Sequence, residues 1–140
     1  ARCGALIAAP ALIEFAQNVL PPYTFPTPSI EIVTAAMAAS SLAVAEERIS
    51  LIRRERARLS KSLNDLPDVV EVYPSNANFI LIRVRNRDAV VDSARRAGIL
   101  LRKFDGEPTL RNCIRITIGR PEDNDRLLQA ISTKDPRHDS

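Results

Sequence analysis

The chain has 140 residues and a formal charge of +3, with 45% hydrophobic and 26% charged residues, which suits one domain with a real core and hardly two. Its cations are 17 Arg against 3 Lys, aromatics are 4% and Trp is absent; a nucleic-acid binder would show a basic cluster with aromatics beside it, so that class is set aside. One histidine, His138 in the polar tail, and two cysteines, Cys3 and Cys113, without metal spacing argue against a histidine-based zinc site, a Ser-His-Asp hydrolase or a disulfide framework within these residues.

No stretch reaches membrane-spanning length, and no basic segment followed by an apolar one marks a signal peptide, so a cytoplasmic chain without membrane contact is expected. The opening Ala1-Arg2-Cys3-Gly4 carries no initiator Met and runs straight into apolar sequence, as though cut from something longer. Cys3 to Ala9 is short and apolar without helical period, which predicts a buried strand. Pro10 then opens a helix over PALIEFAQNVL, proline being tolerated in the first turn. Residues 21–28 hold four prolines and must form an extended connector; Tyr23 and Phe25 within it favour a rigid loop that shapes a surface.

Thr27-Pro28 predicts a helix start, a hydroxyl cap followed by proline. From Ser29 to Leu66 there is no Gly or Pro. Leu42, Ala45, Ile49, Ile52, Arg56, Leu59, Leu63 and Leu66 recur at spacings of three and four, giving one apolar stripe on a single long helix or on two helices end to end. The charge run EERISLIRRERARL falls mostly on the opposite face and reads as a solvated surface. Pro67 ends the helix. Strands are then predicted over Val69 to Tyr73, Asn78 to Val84, Ile99 to Lys103 and Cys113 to Ile118, with helices over Arg87 to Ala97, closed by Gly98, and Pro121 to Ile131. Residues after Ser132 read as a frayed tail. The pattern β-β-α-β-β-α from residue 67 onward predicts a small α+β unit with helices on one sheet face, whereas residues 1–28 look like the edge of a different, α/β domain.

The stretch from Ala97 to Asn124 draws attention. Cys113, Arg115 and Thr117 alternate with Ile114, Ile116 and Ile118, so Arg115 lies on the strand face opposite the isoleucines. A charge at mid-strand is costly to bury unless an anion meets it, and guanidinium is suited to forking onto a carboxylate or phosphate. Arg102, between Leu101 and Lys103, is placed similarly. The bland alternative is an arginine paired with a core carboxylate, or one snorkelling from an edge strand.

Arg2-Cys3-Gly4, Ala77-Asn78-Phe79-Ile80-Leu81, Gly98-Ile99-Leu100-Leu101-Arg102 and Cys113-Ile114-Arg115-Ile116-Thr117-Ile118-Gly119, in that order and spacing, resemble the C-terminal part of the histidinol-phosphate aminotransferases, fold-type-I enzymes that use pyridoxal 5'-phosphate. The resemblance runs from Arg2 to about Ile131. It implies the end of a large α/β domain over 1–28, a connecting helix or helices over 29–66, a small C-terminal α+β domain over 67–132 and a tail over 133–140. Arg2 matches the arginine on the cofactor phosphate, Arg115 the one that holds the substrate α-carboxylate, and Arg102 the one that helps receive a substrate phosphate. Pro22-Tyr23 corresponds to a segment near a homodimer interface that can approach the partner's active site, and Asn78-Phe79 to a structural pair.

The Schiff-base lysine of that family is expected about seven residues before Ala1, from the motif around a cofactor lysine. Lys61, Lys103 and Lys134 do not match it, so the chain as it stands is expected not to catalyse transamination by itself. Physical chemistry agrees on the arginines: a transaminase must orient an amino acid whose carboxylate stays charged, and a fixed cation does so. The expected activity is exchange between histidinol phosphate plus 2-oxoglutarate and imidazole-acetol phosphate plus glutamate. Competing readings are an aromatic amino-acid aminotransferase or a threonine-phosphate decarboxylase of the same fold, and a non-enzymatic α+β module that senses an anion through Arg102 and Arg115. A helical dimerisation element over 29–66 is disfavoured by its shortage of leucine.

Overall fold

The computed structural model describes residues 4–21 and 25–132. Two compact units are formed, Ala1–Arg48 and Ile49–Ser140.

In the first unit, residues 4–9 take no regular structure and Ile7 is 96% exposed, so the expected strand is not formed. A strand is completed by hydrogen bonds to a neighbouring edge, and none of the described residues of this unit offers one. Helix α1 (Pro10–Val19) follows with proline in its first turn, as expected. Helix α2 (Thr27–Ala36) starts one residue early: Thr27 is already helical, the capping position falls on Pro26, and no side chain caps the end. Of the two arrangements open for 29–66, two helices are found. The chain breaks at Met37 and Ala38, α3 (Ala39–Asn64) resumes at a 68° bend, and across the break the Ala35 carbonyl accepts from the Ala38 amide at 3.3 Å and from the Ser41 hydroxyl at 2.9 Å. No described residue from 4 to 48 is buried; Phe15, Val19, Ile32 and Met37 all remain exposed. The upper part of the predicted stripe, Leu42 and Ile49, is exposed as well.

The second unit holds the core. It contains the end of α3, then β1 (Val69–Val72), β2 (Phe79–Val84), α4 (Arg87–Arg96), β3 (Arg102–Lys103), a 3-10 turn (Pro108–Leu110), β4 (Cys113–Thr117) and α5 (Pro121–Ser132). The strands make one antiparallel sheet in the order β1-β2-β4-β3, so the predicted β-β-α-β-β-α order stands. Ile80 pairs with Ile116 and Ile82 with Ile114. These four side chains are buried and pack with Val84, Leu59 and Leu63 of α3, Val90, Val91 and Ala94 of α4, and Leu127 of α5. At about 25 cal/mol per Å2 of apolar area, burial of each such side chain contributes roughly 1.5–3 kcal/mol.

Local chemistry sets the element ends. Asn86 caps α4 by accepting from the Ala89 amide at 3.1 Å. Gly98 closes it with φ of +74°, while the Gly98 and Ile99 amides donate to the Arg95 and Ala94 carbonyls, both at 2.9 Å. That closure uses the Ile99 amide and turns Leu100 outward, 86% exposed. The strand expected over Ile99 to Lys103 is therefore cut to Arg102–Lys103.

A buried polar joint ties α5 to α3. Asn124, 2% exposed, donates from Nδ2 to Glu55 Oε2 at 2.8 Å and to the Gly119 carbonyl at 3.2 Å, and its Oδ1 accepts from the Gly119 amide at 3.0 Å. Arg58 forks onto both Glu55 oxygens at 2.9 and 2.7 Å. These bonds hold the Glu55 carboxyl below the usual range, Arg58 being the main cause and Asn124 helping, against the opposing effect of burial.

Candidate functional site

The sheet's second face is the outer one, and the pleat loads it with charge. Phe79, Leu81 and Arg83 of β2 stand on it, half-buried, while Ile80, Ile82 and Val84 face the core. In β4 the same alternation places Arg115 and Thr117 outward and Ile114 and Ile116 inward, as the sequence predicted. Arg115 is flanked by Leu81 of β2 on one side and by Arg102 of β3 on the other. Like charges directly opposite across a ladder are destabilising, so an arginine pair in this position calls for an anion between the two. The strain shows at Arg115 itself: its Nε is buried and has no hydrogen-bond partner, a condition that costs about 1–3 kcal/mol for a buried donor.

Arg102, exposed on the edge strand β3, fits the snorkelling alternative, whereas Arg115, at mid-sheet, fits neither bland reading. Among the ion pairs of the described residues none involves Arg115 or Arg102. Each guanidinium instead lies against an aromatic ring: Arg115 Cζ is 5.3 Å from the centre of Phe79 and Arg102 Cζ is 6.0 Å from that of Phe104. The sequence reading missed both rings. Period-two alternation from Phe79 to Arg83 was enough to set Phe79 on the Arg115 face; Phe104, in a loop, left no such signal.

Arg83 was missed as well. It bridges β1 to the loop before β4, donating through Nε and Nη2 to the Tyr73 hydroxyl at 3.0 and 2.8 Å and through Nη1 and Nη2 to the Arg111 and Thr109 carbonyls at 2.7 and 3.3 Å. Glu71 lies opposite Arg83 in the register, with 3.9 Å between charged atoms. The Tyr73 hydroxyl raises the Arg83 pKa further by bonding to its charged form, and the hydrogen bond to Glu71 is the main cause of a raised Tyr73 pKa, opposed by Arg83. Arg83 is thus a spent cation, engaged on all sides, whereas Arg102 and Arg115 keep donors for something else.

Two other expected site residues, Arg2 and Tyr23, lie outside the described residues, as do His138, Lys134 and the tail. Among the described residues no group of His, Cys, Asp and Glu could hold a metal, and no single helix is long and apolar enough to cross a membrane. A cleft of about 320 Å3 between residues 98–101 and the start of α5 includes one cation, Arg126, which is paired with Asp123 at 3.1 Å. It gathers no free charge, so the arginine face is the better candidate.

Comparison with known proteins decides the family. The model of the class I and II aminotransferases matches residues 1–131. The chain belongs to that family. Among relatives, the histidinol-phosphate aminotransferase of Xanthomonas campestris pv. campestris (strain B100) is 41% identical over 134 residues, 96% of this chain and 37% of that protein. The chain thus spans little more than a third of the curated relatives it matches. Among solved structures, a candidate aminotransferase from Burkholderia pseudomallei K96243 superposes with a TM-score of 0.75 at 30% identity over 87% of this chain and 36% of its own. The histidinol-phosphate aminotransferase from Clostridium acetobutylicum gives 0.55 at 28% identity over 62% and 27%. These likenesses bear out the resemblance to histidinol-phosphate aminotransferases and the expected fold, the C-terminal portion of a fold-type-I enzyme with α/β and α+β parts.

Class I and II aminotransferases use pyridoxal 5'-phosphate. The described residues of this chain do not form a cradle for it. Lys61 is exposed on α3, and Lys103 faces Asp105 at 3.9 Å. What they do form is a sheet face on which Arg115 and Arg102 stand opposite each other.

Proposed function

We propose that this chain is the substrate-binding, C-terminal part of a pyridoxal-phosphate-dependent aminotransferase acting on histidinol phosphate. Residues 1–28 form the edge of its large domain, 29–66 the connection, and 67–132 the small domain, with 133–140 following it. The observation that carries the reading is the cross-strand pair: Arg115, with a buried and unpartnered Nε, directly opposite Arg102. Arg115 holds the carboxylate shared by 2-oxoglutarate and glutamate, through the paired donors that make arginine selective for planar anions. Arg102, exposed at the edge strand, receives the phosphate of the phosphorylated substrate, and a second anion is what makes a second, opposed cation tolerable.

In this reading Arg2 contacts the cofactor phosphate, Tyr23 approaches the site of a partner subunit in a homodimer, and the lysine that carries the cofactor lies upstream of Ala1, so the chain alone is inactive. The whole enzyme is cytoplasmic and takes small molecules rather than nucleic acid. A first test is the intact mass and visible spectrum of the protein isolated from its source. A mass well above 15.5 kDa with a yellow chromophore supports the proposal; a colourless protein of that mass refutes it and favours a free-standing anion-binding module. Substrate choice is tested by Arg102→Ala in the whole enzyme, which should raise KM for histidinol phosphate at least tenfold, one lost charge-assisted contact being worth about 1.5–3 kcal/mol, and leave KM for an aromatic amino acid within about twofold. Equal losses on both substrates would overturn the phosphate assignment.

A further inference from the structure

Phe79 pairs with Thr117 and Leu81 with Arg115, so Phe79 is the diagonal neighbour of Arg115 on the outer face, a separation that aromatic and long side chains can close. They do close it: the guanidinium carbon stands 5.3 Å from the ring centre. Arg115 Nε is meanwhile buried without a hydrogen-bond partner. Arg102 rests on a different ring, that of Phe104, so two cations that the register sets opposite each other are held on separate aromatic surfaces.

We propose that Phe79 is a positioning residue for Arg115. A guanidinium lying against an aromatic face is attracted by the ring quadrupole and keeps its in-plane donors free. The ring therefore steadies the half-buried cation without consuming the pair of donors that fork onto an anion, although it gives Nε no hydrogen bond. A carbonyl in that place would occupy a donor; a leucine would fill the volume and leave the cation to tumble among rotamers. The inference rests on the reading of Arg115 as the carboxylate-binding group.

The test uses the whole enzyme, labelled with 15N, and 2-oxoglutarate as the probe. The Arg115 Nε–H resonance, identified by its loss in Arg115→Gln, should be shifted upfield by the ring current. It should return to the ordinary arginine position in Phe79→Leu and stay shifted in Phe79→Tyr, which keeps the ring face. The dissociation constant for 2-oxoglutarate should rise about 3- to 10-fold in Phe79→Leu and stay within about twofold in Phe79→Tyr, the range expected for one partly desolvated cation–π contact. An unshifted resonance in the unsubstituted chain overturns the proposal even if Phe79→Leu does not fold. So does unchanged affinity in Phe79→Leu while Arg115→Gln loses binding, a result that leaves the carboxylate reading standing. Unchanged affinity in Arg115→Gln overturns the carboxylate reading and this inference with it.

Discussion

Asn124→Ala removes the joint between α5 and α3, and its cost can be worked from the bonds it breaks. The amide of Asn124 makes one bond to a carboxylate, at 2.8 Å to Glu55, and two to the backbone of Gly119, at 3.2 and 3.0 Å. A bond to a charged group contributes about 1.5–3 kcal/mol and a neutral one about 1. These sum to about 3.5–5 kcal/mol, but half-buried Gly119 can turn its freed groups to water and Glu55 keeps both bonds to Arg58, so about 2–4 kcal/mol is expected. In urea, with a slope near 1 kcal/mol per M for a unit of this size, the midpoint should fall by roughly 2–4 M. Asn124→Asp is the sharper companion. It keeps the shape but sets a second carboxylate 2.8 Å from Glu55, so it should be at least as damaging near pH 7 and recover partly as acid protonates one of the two. The unsubstituted chain should behave oppositely. The Glu55 pKa is lowered in the folded state, so its contribution is complete above its ordinary value near 4.5 and is lost as pH falls through the depressed one. A loss under about 1 kcal/mol in Asn124→Ala, or an Asn124→Asp chain that weakens on acidification as the parent does, would refute this account of the joint.

Two further outcomes test the outer face. Arg115→Leu should raise the melting temperature by a few degrees, because it removes a buried unpartnered donor and a like-charge pair worth together about 1–3 kcal/mol, against about 0.5–1 for the lost ring contact; scanning calorimetry without added anion reads it, and a clear destabilisation would show that the residue is structural. Arg83→Lys loses the fork that holds Tyr73 and the Thr109 and Arg111 carbonyls together and should cost about 1–2 kcal/mol. It should also speed hydrogen exchange at the Leu110 and Arg111 amides, and unchanged exchange there would count against a clamping role.

The second unit was legible because its sequence agrees with itself at several levels. Alternation in Phe79 to Val84 and Cys113 to Thr117 gave the strands and their faces, Gly98 the end of α4, and Pro67 that of α3. Where local pattern and tertiary demand part, the reading failed. Cys3 to Ala9 is apolar enough for a strand, but pairing is supplied by a partner and cannot be read from the segment alone. Ile99 to Leu101 is apolar enough for a strand, yet closing α4 with a left-handed glycine takes the Ile99 amide first. Arg56 was assigned to the apolar stripe; it is half-buried and donates to the Ala77 carbonyl at 2.8 Å, while its neighbour Glu55 is the buried charge. No periodicity separates those two, because which one is buried depends on where Asn124 lies, sixty-nine residues on. The arginines of the site were legible by violation, as charges in strands that otherwise obey the pattern. The aromatic rings beneath them raised no such flag: Phe79 obeys the alternation that sets its face, and Phe104 lies in a loop without periodicity.

The two faces of the sheet follow opposite logic. On the core face every isoleucine finds a hydrophobic neighbour within the unit, and among the described residues no side chain there is a buried polar group without a partner. On the outer face Arg83 is fully engaged by Tyr73 and the loop, which shows that this surface can satisfy an arginine when one is needed for structure. Arg115, one strand away on the same face, is not given that treatment: its nearest strand partners are Leu81 and another arginine. A fold that can quench one guanidinium and leaves another unquenched beside a third has placed charge where stability alone would not put it. Sites that break the rules kept elsewhere in the same element are where function is to be sought, and the rule broken here, a charge without a partner opposite a like charge, is the one the anion-binding proposal would explain.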